Sequence, residues 1–394
     1  MSIALAERHG AHNYHPLPVE VSHAEGCWVT DTAGKRYLDF LSSYSALNQG
    51  HRHPRILAAA RAQMDRVTLT SRAFHNDQLG PFLARLAEVS GFARSLPMNS
   101  GAEACETAIK ALRRWGYRHK GVPDGAAEII VATDNFHGRT TTIISFSTEP
   151  EYREGFGPFT PGFVIVPYGD AAALEAAITP NTVGVFLEPI QGEAGVVVPP
   201  EGYLRAVREA CDRHGVKLVI DEIQTGLGRT GKMWCFEHEA IRPDGITIGK
   251  ALDGGFYPVS AFCADEDLIG VFGPGSHGST FGGNPLAAAI ARASLDVIVD
   301  EGLAAHAAVM GERLRAGLRA LRSPAVKDVR GKGLLVGVEL HAEAGPARPR
   351  CEALLAHGLL CKDTHGQVMR LAPPLVVSES EIDLALARVA EVLT

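Results

Sequence analysis

The chain has 394 residues, 46% of them hydrophobic and 21% charged, with a formal net charge of −7 and a pI near 6.1. That balance excludes a basic nucleic-acid surface, and the lack of any basic block excludes a polybasic membrane patch. No run approaches the ~18 apolar residues of a membrane span, and the first residues lack the order of a secretory signal.

The length predicts two or three lobes rather than one core. The N-terminal segment, 1–46, is rich in Gly, Pro and His and carries a hairpin-like stretch from Cys27 to Leu38. From 47 to 280 strands and helices alternate. Strands are expected at Glu128–Thr133, Ile143–Ser147, Phe163–Val166, Gly184–Leu187, Lys217–Ile220, Ile246–Ile248 and Val259–Cys263. Helices are expected at Ile56–Val67, Glu103–Arg118 and Gly202–His214. Such alternation predicts an α/β domain with a mostly parallel, seven-stranded sheet covered on both faces. The remainder, 281–394, reads as a small α+β domain. It has helices near Pro285–Val299, Gly302–Leu321 and Arg350–His357, strands near Gly333–Leu340 and Val368–Leu371, and a final helix opened by a Ser378–Glu381 capping box. Seven cysteines without C-x-x-C spacing fit reduced, buried thiols in a cytoplasmic setting.

Lys250 and Asp221 carry the chemistry. Each lies at the end of a short apolar run, Lys217–Asp221 and Gly245–Lys250, of the kind that forms a buried strand. Ligands of open α/β sheets collect beyond the carboxyl ends of the strands, so an amine and a carboxylate reach one crevice. A lysine able to form a Schiff base, with a carboxylate to hold a pyridinium nitrogen, is what pyridoxal phosphate chemistry needs. The bland alternative is a solvated loop lysine and a turn-forming aspartate.

Two glycine motifs compete for a phosphate. Gly226-Leu227-Gly228-Arg229-Thr230-Gly231 matches G-x-G-x-x-G and, with Lys232, nearly matches a P-loop. Gly226 comes five positions after Asp221, whereas a dinucleotide turn leaves the strand directly. Met233 stands where a P-loop needs Ser or Thr, so a glycine turn with a structural Arg229 is the simpler reading. Asn99-Ser100-Gly101-Ala102-Glu103 opens a helix, whose unpaired N–H groups and dipole make an anion site. Ser100 and Glu103 also form a capping box, which leaves other donors free. His51 and His53 lack further ligands, and no metal is assigned.

With Ser100-Gly101 at a helix start, Asp221-Glu222-Ile223-Gln224-Thr225-Gly226 after one strand and Gly249-Lys250-Ala251-Leu252 after another, the chain resembles the class III pyridoxal-phosphate-dependent aminotransferases. The resemblance runs from about residue 11 to the C-terminus. Five segments narrow it to the ornithine aminotransferase branch: Asn13–Pro18, Ser42–His51, Leu69–Phe74, Glu188–Gly195 and His277–Pro285.

The resemblance implies a fold type I enzyme that transfers the δ-amino group of L-ornithine to 2-oxoglutarate. Lys250 would hold the cofactor and then move a proton, which requires a neutral amine. Asp221 would keep the pyridine nitrogen protonated, Gln224 would bond the ring hydroxyl, and Phe136 would stack on the ring. Gly101 and Ala102 would bind the phosphate, with Thr280 completing that site from the other subunit of a homodimer. Tyr14 and Arg139 would hold ornithine's α-carboxylate, Arg370 that of glutamate or 2-oxoglutarate, and Glu193 would neutralise Arg370 while ornithine is bound. Tyr44 would line the pocket. In Asn135-Phe136-His137-Gly138-Arg139 the pattern expected of ornithine enzymes has an aromatic, usually Trp, at His137; the imidazole is expected to stack in its place while adding a titratable group. Alternatives are an N-acetylornithine or other ω-amine aminotransferase, an NAD-dependent oxidoreductase using Gly226–Gly231, and a non-catalytic scaffold.

Overall fold

In the computed structural model, residues 2–393 are described. Fifteen strands form three sheets. The N-terminal sheet joins β1 (Val21–Glu25), β2 (Trp28–Asp31) and β3 (Arg36–Asp39). The central sheet holds β4 (Arg94–Met98), β5 (Glu128–Ala132), β6 (Phe163–Val166), β7 (Thr182–Leu187), β8 (Lys217–Asp221), β9 (Gly245–Ile248) and β10 (Ser260–Ala264). The C-terminal sheet holds β11 (Val326–Lys332), β12 (Leu335–Leu340), β14 (Lys362–Thr364) and β15 (Val368–Leu371), while β13 (Leu359–Leu360) pairs in parallel with β3.

The central sheet runs β4-β10-β9-β8-β7-β5-β6, and only β10 pairs antiparallel to its neighbours. Every residue of β7 is buried, as expected of a strand covered on both faces. Helices Gly101–Trp115 and Tyr203–His214 supply the cover, each with an apolar stripe facing the sheet. Helix Pro285–Asp300 packs on helices Pro54–Met64 and Leu79–Ser90. Among the described residues no helix is long and apolar enough to cross a membrane.

One expected strand fails and two strands were not foreseen, each for a physical reason. Ile143–Phe146 is a 3-10 turn rather than a strand, because a short apolar run has no periodicity to separate strand from buried turn. Arg94–Met98 is a strand that its Pro97 hides in the sequence. As β4 it lies at the sheet edge, where a missing N–H is tolerated. The polar β11 was equally silent; it pairs with β12 through a turn at Gly333 and Leu334. The hairpin of β2 and β3 forms as expected, and Ser378 and Glu381 exchange their capping bonds at 3.3 and 2.8 Å.

Candidate active site

The residues just beyond β4, β5, β7, β8 and β9 line one cavity of about 190 Å³, which takes in Gly101, Ala102, Phe136, His137, Glu188, Asp221, Gln224 and Lys250. The crevice expected at the strand ends is therefore built, and the lysine and the carboxylate share it.

Asp221 ends β8 and is 4% exposed. Its Oδ2 meets His137 Nδ1 at 2.6 Å and accepts from the Cys105 thiol at 3.4 Å, while Oδ1 accepts the Ile223 N–H at 3.0 Å. Burial raises this carboxyl, but the His137 hydrogen bond and charge, the Ile223 N–H and the Lys250 amine together hold it below the usual value. A permanently ionised acid at this place suits a cationic ring nitrogen. His137 does not lie where a stacking ring was expected. Its ring is fully buried on Phe186, centroids 4.2 Å apart, with Nδ1 turned to Asp221. Among the described residues its Nε2 has no partner.

Lys250 follows β9 in a left-handed conformation, φ +45°, a backbone that a non-glycine residue keeps only where its surroundings enforce it. Among the described residues its amine has no ion pair. Burial depresses its pKa, against the opposing fields of Glu193, Asp221 and Glu188. The amine is thus biased towards the neutral form that a nucleophile and base requires. Glu188 is buried, accepts the Phe136 N–H at 2.9 Å, and is pushed well above the carboxylate range by burial and then by Asp221.

The helix from Gly101 is capped by Ser100, whose Oγ accepts the Glu103 N–H at 3.2 Å, and the Glu103 carboxylate takes the Asn99 and Ser100 N–H groups. Among the described residues the Gly101 and Ala102 N–H groups, at the cavity wall, have no hydrogen-bond acceptor. A Cβ on Gly101 would stand 2.9 Å from the tip of Ile223, which would have to give way, and one on Gly138 2.7 Å from the Ala102 Cβ at a φ of +126°, so glycine is needed at Gly138. An acid, an amine, an aromatic face at Phe136, an unsatisfied Gln224 Oε1 and a free helix start occupy one small cavity. That donor set fits pyridoxal phosphate.

A wider vestibule of about 940 Å³ opens outside it, lined by Tyr14, Tyr44, Phe136, Arg139, Tyr152, Glu193 and Lys250 among others. Tyr14 is 75% exposed there. Arg139 stacks 3.8 Å from the Tyr152 ring centroid and has no ion pair among the described residues. Arg370, on β15, is 1% exposed; its Nη1 meets Glu193 Oε1 at 2.5 Å, and its guanidinium lies 5.0 Å from the Tyr44 centroid. Burial raises the Glu193 carboxyl, but Arg370, Lys250 and a 3.0 Å bond from Gln224 bring it down to about 2. Tyr44 belongs to a run, Ser42–Ser45, whose φ angles are all positive, from 45° to 73°. Thr280 is exposed and lies outside both cavities of its own chain.

Gly226–Gly231 makes no nucleotide turn. Arg229 is fully buried and bonds the Leu334 and Pro373 carbonyls and Asn48 at 3.0, 2.5 and 2.6 Å. Only a short 3-10 turn, Cys235–Glu239, follows. Sequence reasoning missed Glu188, Cys105, Ile223 and Tyr152. Glu188 and Ile223 lie in segments already quoted, but burial decides the role of the first and a local bond to Asp221 that of the second, while Cys105 and Tyr152 contribute through contacts with other segments.

The sequence matches the aminotransferase class-III family over residues 9–393. The chain belongs to that family. Among its relatives, the ornithine aminotransferase of Brevibacillus brevis is 57% identical, with 99% of this chain and 97% of that protein covered. A solved structure of the ornithine aminotransferase of Toxoplasma gondii, with pyridoxal phosphate at partial occupancy in its active site, superposes with a TM-score of 0.98 at 44% identity. That match covers 100% of this chain and 93% of the other. The acetylornithine aminotransferase of Elizabethkingia anophelis superposes at 0.90, also at 44% identity, with 100% and 98% covered. This class-III aminotransferase accordingly has the fold type I architecture expected from its alternating strands and helices.

Proposed function

We propose that this class-III aminotransferase uses pyridoxal phosphate to transfer the δ-amino group of L-ornithine to 2-oxoglutarate, giving L-glutamate 5-semialdehyde and L-glutamate. The observation that carries the reading is the 2.5 Å Glu193–Arg370 pair, whose Glu193 lines the cavity that holds Lys250. Ornithine and glutamate share an α-amino acid group, yet one must offer its δ-amine and the other its α-amine. A masked Arg370 beside an open Arg139 provides that choice.

Pyridoxal phosphate, when bound, supplies an electron sink that acidifies the carbon bearing the amine. Lys250 takes the proton from that carbon and returns it, with burial biasing its amine towards the neutral form. Asp221 keeps the ring nitrogen protonated, and His137 and Cys105 hold the carboxylate in place. Gln224 holds the ring hydroxyl, Phe136 covers the ring, and the Gly101 and Ala102 N–H groups hold the phosphate. Tyr14 and Arg139 seat ornithine's carboxylate in the vestibule, and Tyr44 packs beside Arg370. Arg370 seats the dicarboxylate substrate once Glu193 swings away.

The enzyme works as a homodimer, in which the partner subunit's Thr280 completes the phosphate site. The exposed position of Thr280, outside its own chain's cavities, supports that arrangement. The same reading divides the chain into an N-terminal segment, 1–46, that packs with the small domain, a large domain, 47–280, and a small domain, 281–394, with helix Pro285–Asp300 lying against the large one. Seven unpaired, buried cysteines support a reducing, cytoplasmic location.

Comparing single-turnover rates with ornithine and N-acetylornithine tests the proposal. Ornithine is expected to convert the bound cofactor rapidly. A faster reaction with the acetylated substrate would transfer the chain to the acetylornithine reading.

A further inference from the structure

The side chain that masks Arg370 sits on a turn whose backbone is gripped by the C-terminal sheet. Gln191 and Val197 close this turn by exchanging backbone hydrogen bonds of 3.1 and 2.9 Å. Within it, Gly195 has φ +104° and Val196 φ +55°. A β-branched residue in the left-handed region is a genuine outlier, and it persists only where neighbours over-determine it.

Those neighbours are identifiable. Arg330, on β11, donates from Nη2 to the Gly195 carbonyl at 2.7 Å and from Nε to the Gly195 and Val196 carbonyls at 3.1 Å each. Glu339 on β12 pairs with Arg330 and fixes the guanidinium. Thr364, at the end of β14, donates 2.5 Å to the carbonyl of Glu193 itself. Gly337 leaves the room the turn needs, since a Cβ there would stand 3.1 Å from that of Val196. Arg330 lines neither the cavity nor the vestibule.

We propose that Arg330 and Thr364 are positioning residues for substrate choice, holding the 191–197 turn so that unmasking Arg370 is a movement of the Glu193 side chain alone. The inference rests on the reading of Glu193 and Arg370 given above. A fork that grips two consecutive carbonyls fixes the peptide planes of the turn, and a third bond fixes the carbonyl of Glu193. The direction in which Glu193 leaves the backbone is thereby set. With the grip released, Val196 relaxes out of its strained conformation and Glu193 no longer returns to Arg370 by default.

The test uses the cofactor-loaded protein with Arg330→Gln, Arg330→Lys, Thr364→Val and, in parallel, Glu193→Ala. Two quantities are read: the ratio of single-turnover kcat/KM for glutamate to that for ornithine, and the affinity for glutarate, a dicarboxylate without an amine, from its spectral titration. Arg330→Gln should raise the ratio about tenfold, the scale of one charge-assisted hydrogen bond, and tighten glutarate binding. Arg330→Lys should recover part of the shift. Thr364→Val leaves the Arg330 grip in place, so it carries the test should Arg330→Gln fold poorly, and it should shift the ratio the same way by a smaller factor. If Glu193→Ala moves the ratio while Arg330→Gln and Thr364→Val leave it unchanged, or slow both half-reactions by one factor, the proposal is overturned. If Glu193→Ala itself leaves the ratio unchanged, the underlying reading of the pair fails and takes the proposal with it.

Discussion

Replacing Glu193 with Ala should reverse the substrate bias, and the structure sets the size of the effect. The Glu193 carboxyl is brought from 4.5 to about 2, against burial, chiefly by Arg370. That depression is worth roughly 3 kcal/mol at ~1.4 kcal/mol per pH unit. Lys250 and Gln224 supply part of it, which leaves on the order of 2 kcal/mol, or roughly 30-fold, for the masking of Arg370. The variant should lose on the order of 10- to 30-fold in kcat/KM for ornithine and gain several-fold for glutamate, with some ornithine reacting through its α-amine. Stopped-flow absorbance on each half-reaction, with product analysis for the ornithine arm, measures all three. Equal changes in both half-reactions, or slower reaction with glutamate, would refute the reasoning. The same pair fixes a pH expectation. Because the folded-state carboxyl is depressed, its stabilising contribution is present above 4.5 and disappears only as pH falls through about 2. Glu193 therefore contributes no step to substrate choice between about pH 6 and 9, and a profile of the half-reaction ratio across that range checks this.

Borohydride treatment of the cofactor-loaded protein should fix the label on the peptide containing Lys250, since lysine alone among the cavity side chains forms a reducible link; peptide mass mapping reads the position. Arg139→Ala should weaken the ornithine half-reaction on the order of 10- to 150-fold while sparing the glutamate one, the range expected for a charged hydrogen-bonded contact. Removing the 2.6 Å partner of Asp221 with His137→Phe should loosen cofactor binding by about tenfold, read as fluorescence quenching on titrating the apoenzyme. In the apoenzyme, the stability that Asp221 gains from its depressed pKa is present above 3.8 and lost as pH falls. The difference in urea midpoint between parent and variant should therefore shrink in acid.

The parts of the site legible in the sequence were those fixed by local chain geometry. Asp221 ends a strand and Lys250 follows one, Gly101 and Ala102 open a helix, and strand ends and helix starts are written in short apolar runs and caps. The family resemblance, rather than any spacing, put Glu193 opposite Arg370 across 177 positions. What stayed hidden depends on packing between remote segments. Cys105 reads as one more core thiol until Asp221 is found 3.4 Å away. His137 reads as a ring to stack on a ligand, and only the stack on Phe186 turns its nitrogen to the carboxylate. Pro97 disguised an edge strand, and the charged residues of β11 disguised the strand that carries Arg330.

The two arginines of the site have the same chemistry and opposite treatment, and burial explains the difference. Arg139 is exposed in the open vestibule, stacked on Tyr152, where a guanidinium needs no anion beside it. Arg370 is 1% exposed, and an unpaired charge at that depth is strongly destabilising. A counter-ion therefore stabilises the fold before any question of substrate arises. Glu193 fills that role from a side chain still 27% exposed, so it keeps an exit towards the vestibule. In the proposed mechanism a dicarboxylate replaces one carboxylate by another at Arg370, and the buried charge is never left bare. A substrate with an amine in that position brings no replacement anion, so in the same proposed mechanism Glu193 stays and Arg139 becomes the carboxylate seat. On this reading, selection between two amino acids follows from the depth at which one guanidinium is buried.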